Sequence, residues 1–266
     1  ADFRYETERS NFIGRNNNLS NPYKLEEELT NYTGNNIDPI LSLRNKVIVQ
    51  ANDSISVYLI VGFSRSSEQI YENINNFSTI DKINKAYEIS KLMHIIDTKN
   101  MQLTSDTLNT FNKLLNLIYQ SNNIELTEER LELLRRNVLG QSGLWKFGLS
   151  GDRPIILVEL NDIRDMSFIY EILKAYEYYK TKFIFIDILI INNESSKFTP
   201  IIKKEIDEEL YRINTLNHFY NTLGTVVLIN NDNITREDYD LLNIVPTVKF
   251  NIKNHESLKT LVEDLR

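Results

Sequence analysis

The sequence predicts a mixed fold, α+β in its first part and α/β in its last, because the hydrophobic period changes twice along the chain. Two β-branched apolar runs, Lys46 to Gln50 and Ser54 to Phe63, flank the polar triplet Ala51-Asn52-Asp53. From Ser66 to about Asn137 apolar residues recur at helical spacing, and from Pro154 onward short apolar runs alternate with helical patterns. An antiparallel hairpin, a helical linker or small bundle, and a small parallel α/β domain are expected in that order, over 1–64, 65–138 and 139–266.

The hairpin follows from alternation. Ile55, Val57 and Leu59 fall on one face while Ser54, Ser56 and Tyr58 fall on the other, as in a half-buried antiparallel strand. Two strands alone are marginal in water, so this hairpin needs partners. In the helical stretch, Ser66 with Gln69 and Ser78 with Asp81 have capping-box spacing. A stripe of Ile80, Ile83, Tyr87, Leu92 and Ile95 follows the second pair. Ser105 and Thr127 are candidate N-caps of two further helices, whose core faces are Leu108, Phe111, Leu114, Leu115, Ile118 and then Leu131, Leu134, Val138. The predicted strands of the last part are Pro154 to Leu160, Phe183 to Ile191, Thr225 to Asn230 and Val245 to Phe250. Helices are predicted over Asp165 to Lys180, Thr199 to Arg212, Thr235 to Leu242 and His255 to Leu265. These strands are near-continuous apolar runs, the mark of a parallel sheet covered on both faces by right-handed crossovers.

Composition narrows the function classes. The 266 residues carry a formal net charge of -7, against a protein that works by neutralising phosphates, so no nucleic-acid partner is expected. No apolar stretch reaches the roughly 20 residues of a membrane span, and no direct membrane insertion is expected. Cysteine is absent, which excludes disulfides, thiolate nucleophiles and Cys-based metal sites and agrees with a cytoplasmic location. The charged stretch Ala1 to Arg15 lacks the apolar core of a signal peptide, and a start without Met suggests a piece of a longer chain.

The densest unusual stretch runs from Leu139 to Pro154. It holds Gly140, Gly143, Gly148 and Gly151, half of the chain's 8 glycines, together with its single tryptophan, Trp145. Clustered glycine means positive φ or close backbone approach, and the plain reading is a well-packed linker with Trp145 in the core and Asp152 capping a turn. Gly148-Leu149-Ser150-Gly151-Asp152 is no nucleophile elbow, since Asp152 stands where the second glycine belongs and a strand follows. Neither a P-loop nor a dinucleotide fingerprint is present. If the segment touches a ligand, Trp145 offers sugars a flat apolar face. Asp152, Arg153, Arg135 and Arg136 would then bind hydroxyls through charge-assisted hydrogen bonds.

This segment resembles the stretch of cyclic β-1,2-glucan synthases that reads Leu-Gly-Gln-Ser, Leu-Trp, Gly-Ile-Ser-Gly-Asp and Pro-Ile, here Leu139 to Ile155, with Leu149 in place of Ile and Arg153 in place of the common Leu. Asp187 to Asn192 with Glu194-Ser195-Ser196 is similar to the family's Asp-Leu-Val-Ile-Leu-Asn-Glu segment. Upstream, Tyr5 to Arg9 and Phe12 to Arg15 are similar to the Glu-Thr-Asp-Arg and Phe-Leu-Gly-Arg signature shared with cellobiose-phosphorylase-like (glycosyltransferase family 36-type) enzymes. Asp38-Pro39-Ile40 and Leu43-Arg44 continue the likeness. The resemblance implies that 1–64 is the closing part of a β-sandwich domain. It also implies a parent with an (α/α)₆ barrel holding the catalytic acid and, in synthases, an inner-membrane glycosyltransferase module. Nothing here corresponds to that acid, so no catalytic residue and no cofactor is carried over.

The remaining candidates are weaker. Glu205, Asp207, Glu208 and Glu209 lie beside Lys203 and Lys204 on a predicted helix, where Lys204 and Glu208 have surface-pair spacing. His94, His218 and His255 lack metal-ligand spacing, and Asn230-Asn231-Asp232-Asn233 lacks the glycine and distal Glu of a calcium loop. The leading expectation is a non-catalytic docking region that contacts other domains of its parent polypeptide and presents an exposed apolar face on the Lys46–Phe63 hairpin. A second is a module that binds a β-glucan oligosaccharide. A third is an independent α/β enzyme whose pocket is lined by the loops after Leu160, Ile191 and Asn230, at the carboxyl ends of the strands.

Overall fold

The computed structural model describes residues 3–120, 127–193, 199–216, 224–252 and 255–265, and the chain divides into two compact units, Ala1–Ser78 and Thr79–Arg266. The mixed fold class read from the sequence is present, with one antiparallel pair of strands, helices, and a four-stranded parallel sheet.

In the first unit, β1 (Arg4–Glu8) pairs antiparallel with β2 (Pro39–Arg44), Tyr5 standing opposite Leu43 and Glu6 opposite Ser42. The antiparallel pair is therefore made from different residues than the predicted hairpin. Glu6 is fully buried on β1, where its carboxylate accepts from the N–H groups of Thr7 and Glu8 and from the Thr30 hydroxyl. Burial alone would raise its pKa, yet these donors hold it below the usual value. The short helix α1 (Arg9–Ile13) ends at Gly14, whose φ of 77° and closeness to Tyr23 leave no room for a Cβ. The Arg44 guanidinium closes the unit by donating to the carbonyls of Glu27, at 2.8 Å, and Lys24.

Residues 45–65 carry no strand. The predicted turn forms, with Asn52 at φ 63° and the Asp53 N–H bonded to the Gln50 carbonyl at 3.1 Å, but the arms on either side make no ladder. Ile48, Val57, Leu59, Val61 and Phe63 are all exposed, Val57 by 71% and Phe63 by 99%. The physical reason is the one that marginalises isolated hairpins, because alternation buries a face only against a second layer. The unit ends with α2 (Ser67–Asn76), where Ser66 caps as predicted, accepting from the Gln69 N–H. The Gln69 side chain meets the Ser64 hydroxyl at 2.5 Å instead of returning to the cap.

The second unit begins with α3 (Ile80–Asn100), capped by Thr79, one residue past the predicted Ser78. Its predicted core stripe is on the surface, with Ile80, Tyr87, Leu92 and Ile95 exposed. α4 (Ser105–Tyr119) is capped by Thr104 rather than Ser105, and it buries Phe111, Leu114 and Ile118. α5 (Glu128–Arg136) is capped by Thr127 as predicted, but Leu134 and Val138 are exposed instead of forming its core face.

The sheet holds β3 (Ile155–Leu160), β4 (Asp187–Asn192), β5 (Val226–Asn230) and β6 (Val248–Asn251), all parallel, in the spatial order β5-β4-β3-β6. Every residue of β3 and β4 is buried. Alternate side chains serve two cores. Ile156, Val158, Leu160, Ile188 and Ile190 pack with α4, α7 (Met166–Thr181), α8 (Thr199–Leu216) and α10 (Leu258–Asp264). Ile155, Leu157, Leu189 and Ile191 pack with α6 (Ser142–Trp145) and α9 (Arg236–Ile244). The helical stretch is thus no separate bundle here, since α4 shares the sheet's core and the buried Tyr179 hydroxyl of α7 donates to the Phe111 carbonyl at 2.5 Å. Phe183, predicted to open a strand, instead sits at φ 59° in the turn before β4.

Leu157 lies at the centre of β3 with no exposure. Leu157→Ala is expected to destabilise the second unit by roughly 3–4 kcal/mol, from lost burial plus a cavity that a two-sided sheet cannot close. Urea unfolding followed by circular dichroism measures it, and a loss under about 1 kcal/mol contradicts a core packed on both faces of β3.

Candidate functional site

The glycine-rich segment is fastened to one helix, α9. The N-terminal turn of α9 is acidic, with Thr235 and Asp238 forming a capping box. Three cations reach α9 from the preceding elements. Arg130 of α5 donates to the Ile244 carbonyl at 2.8 Å, at the helix's carboxyl end. Arg136 binds the buried Asp240 with both arms of its fork, at 2.6 and 2.5 Å. Lys146 meets the buried Asp238. The placement follows the helix dipole at the carboxyl end and two-pronged guanidinium geometry in the middle. The Arg136 hydrogen bonds hold the Asp240 carboxyl below the ordinary carboxylate range.

Between these anchors the segment folds on itself. Gln141 to Lys146 are all in the right-handed helical region, although only four of them form α6. Leu144 is buried at 1% exposure, and Gly143 touches Leu241 so closely that a Cβ would lie 2.7 Å from it. Gly148 and Gly151 take φ 77° and 76°, turning the chain back so that Leu149 is buried beside Leu144. The Gln141 amide then donates to the Ser150 carbonyl at 2.9 Å and to the Asp152 carboxylate at 3.1 Å, while Asp152 N–H donates to the Ser150 hydroxyl.

The sequence-named residues separate here. Trp145 is 64% exposed, because Leu144, the next residue around the turn, takes the core position. The reading of Trp145 as a core residue is corrected by that exposure. Asp152 is exposed and tied to Gln141. Arg153 turns inward, its guanidinium 3.9 Å from Asp187. Asp187 is wholly buried, accepts from the Thr225 N–H through one oxygen and leaves the other without a partner. Burial pushes its carboxyl above the usual range. Arg135 lies exposed in the last turn of α5. Trp145, Gln141 and Asp152 thus share one ledge, whereas Arg153 serves the sheet. Gln141 was not singled out as a site residue; its position four residues before Trp145 is the signal for a shared helix face.

The carboxyl ends of the strands, where the third reading put a pocket, are spanned by asparagine amides. Asn192 donates to Asn230 at 3.1 Å, Asn193 to Asn161 at 2.9 Å, and Asn161 to Asn251 at 3.1 Å. His255 holds the buried Asp165 at 2.5 Å, joining the segment before α10 to the start of α7. His94 is exposed on α3, while His218 and Glu194-Ser195-Ser196 lie outside the described residues. Lys204 and Glu208 form the expected surface pair, at 3.6 Å. Among the described residues no cluster of His, Asp and Glu could hold a metal ion, and no helix is long and apolar enough to cross a membrane.

Comparison with known proteins bears out the resemblance read from the sequence. Residues 1–80 match the family described as glycosyl hydrolase 94, supersandwich domain. The chain is 25% identical over 205 residues to the cyclic beta-(1,2)-glucan synthase NdvB of Rhizobium meliloti (strain 1021), a match over 76% of this chain and 7% of that protein. The chain thus spans a small part of the length of the curated relative it matches, and both similarities are to regions of carbohydrate-active enzymes.

Asp240→Asn is expected to change the acid limb of stability. A carboxyl whose folded pKa is depressed contributes fully above its unfolded value near 4 and loses that contribution as pH falls through the folded value. The urea midpoint of the variant is expected to lie below that of the parent at pH 7, and the gap is expected to close as pH falls below about 4. A gap that stays constant across this range contradicts the assignment.

Proposed function

We propose that this chain is a non-catalytic docking region of a larger enzyme that synthesises or phosphorolyses β-glucan, working on the cytoplasmic side with other domains of the same polypeptide as its partners. The observation that carries the reading is the apolar arm pair at 47–63. Alternating residues that would fill a sandwich core stand in water, within the stretch 1–80 that matches a supersandwich domain. Two sheets must pack face to face to make such a core, and one two-stranded sheet cannot supply both layers. An exposed apolar surface of this extent marks an interaction face. The exposed stripe on α3 is a second surface of the same kind.

Four of the buried carboxylates support a structural role. Glu159 pairs with Lys249, Glu177 with Arg212, Asp238 with Lys146 and Asp240 with Arg136, each joining two elements. A general acid for glycosidic chemistry needs a carboxyl held protonated toward a substrate cleft, and these four are committed to cations.

Hydrogen exchange provides the test. Amides of residues 47–63 are expected to exchange freely in the chain alone and to gain at least about 100-fold protection when the remaining strands of a sandwich domain from the parent enzyme are present. Val57→Lys is expected to leave the chain's own stability within about 0.5 kcal/mol, since Val57 is exposed, and to abolish that protection. Arms that remain unprotected beside the other strands contradict the docking role.

A further inference from the structure

We propose that the ledge formed by Trp145, Gln141 and Asp152 is a binding site for a β-linked gluco-oligosaccharide; the choice of ligand class rests on the carbohydrate-active reading above. A tryptophan left 64% exposed forgoes one of the largest burials a side chain can make. Here it stands next to Leu144 and near Leu149, both at 1% exposure, so a core position was within reach of the same helical turn. The backbone that bears the ring is also tethered. The segment is fastened through Lys146 to Asp238, through Arg136 to Asp240 and through Gly143 against Leu241. A tethered backbone loses little freedom when a ligand arrives, which is what a preorganised site requires.

The surroundings hold hydrogen-bonding groups that suit a sugar. A Cβ placed on Gly140 or on Gly148, the residues flanking the turn, would meet nothing within 4 Å, so there is open space beside the backbone at those two positions. Gln141 precedes Trp145 by four residues in continuous helical backbone, which puts both on one face. Its amide is fixed by Ser150 and Asp152, and the Asp152 carboxylate is exposed beside it with acceptor capacity to spare. A β-linked glucopyranose ring carries its hydroxyls around its rim and leaves C–H bonds on its faces. One face would lie on the indole by dispersion and hydrophobic contact while rim hydroxyls donate to Asp152. Lys146 and Arg136 are already engaged with α9, which leaves neutral, polyhydroxylated chains a better fit than anionic ones.

Because Trp145 is the chain's sole tryptophan, intrinsic fluorescence reports on this ledge alone. Titrating the chain with linear β-1,2-gluco-oligosaccharides, with maltose-type α-linked sugars as controls, is expected to give a saturable blue shift with half-saturation of about 1–10 mM. Amide shifts at Gly140, Gln141 and Gly148 in parallel NMR spectra are expected to saturate together with it. Trp145→Ala, at an exposed position, is expected to keep the remaining spectrum and lose these shifts, Trp145→Phe to weaken binding several-fold, and Asp152→Asn to weaken it without moving the unliganded emission. No saturable change by about 50 mM overturns the site, as do equal responses to α-linked sugars or shifts that survive Trp145→Ala. A blue shift that appears only when other domains of the parent are added makes the ledge a protein contact and also overturns it. The exchange protection of residues 47–63 is read separately, so the docking role and the sugar site fail independently.

Discussion

The burial of β3 on both faces is the constraint from which most of the second unit follows. A parallel sheet cannot turn one face to water as an antiparallel sheet can, because its crossovers place helices on both sides. Six consecutive buried residues, Ile155 to Leu160, require two separate helical covers. On one side α7 and α8 arrive as crossovers to β4 and β5, with α4 recruited from upstream. On the other side the cover is α9, and the short α6 fills the space beside it. The second cover therefore needs help, and the ion pairs of Arg136 and Lys146 with α9 supply it. Each joins a buried carboxylate to a partly exposed cation, so desolvation is shared unevenly and the bond is worth keeping mainly because an unpaired buried carboxylate would cost more.

The two units treat apolar surface in opposite ways. Where the second unit spends β-branched residues on a sheet closed from both sides, the first leaves an equally apolar segment, Val47 to Phe63, in water. Composition does not separate the two cases. The difference is the number of layers available, since among the described residues of the first unit the pair β1–β2 offers one small sheet and no opposing one. An apolar strand without a second layer gains nothing from alternation, which is why the arms keep their turn at Asn52 yet form no ladder.

Much of the α/β architecture was legible because its signals are local. The runs Pro154 to Leu160 and Phe183 to Ile191 read as buried strands and hold β3 and most of β4, Ser66 read as a cap from Gln69 three positions on, and Thr127 read as a candidate cap. What failed depended on neighbours that a sequence does not display. Val138 and Leu134 have the right spacing for a core face, but α5 is held to α9 through Arg130 and Arg136, on its polar side, and so turns them outward. Phe183 continues an apolar run in sequence, yet the chain must first leave α7, and that turn takes it to positive φ. At the candidate site, the sequence identified Trp145 and Asp152 by composition and assigned Arg153 the same role. Only three dimensions show Arg153 turned toward Asp187 and Gln141 taking its place on the ledge.

The two ends of the sheet differ in what they leave open. In open α/β sheets ligands bind outside the carboxyl ends of the strands, where the strand order reverses, here between β3 and β6. Among the described residues that boundary is bridged by Asn161, which accepts from Asn193 on one side and donates to Asn251 and the Ile252 carbonyl on the other. Amides satisfied by one another have little left to offer a ligand, and a ligand entering there would have to break bonds before making its own. The amino-terminal approach to β3 is built the other way. Gly143 and Gly151 keep the backbone close, Gly140 and Gly148 leave space beside it, and Trp145 faces out while the adjacent leucine faces in. With the strand ends latched by asparagine, the loop that leads into the sheet is where an aromatic ring and unlatched polar groups stand exposed.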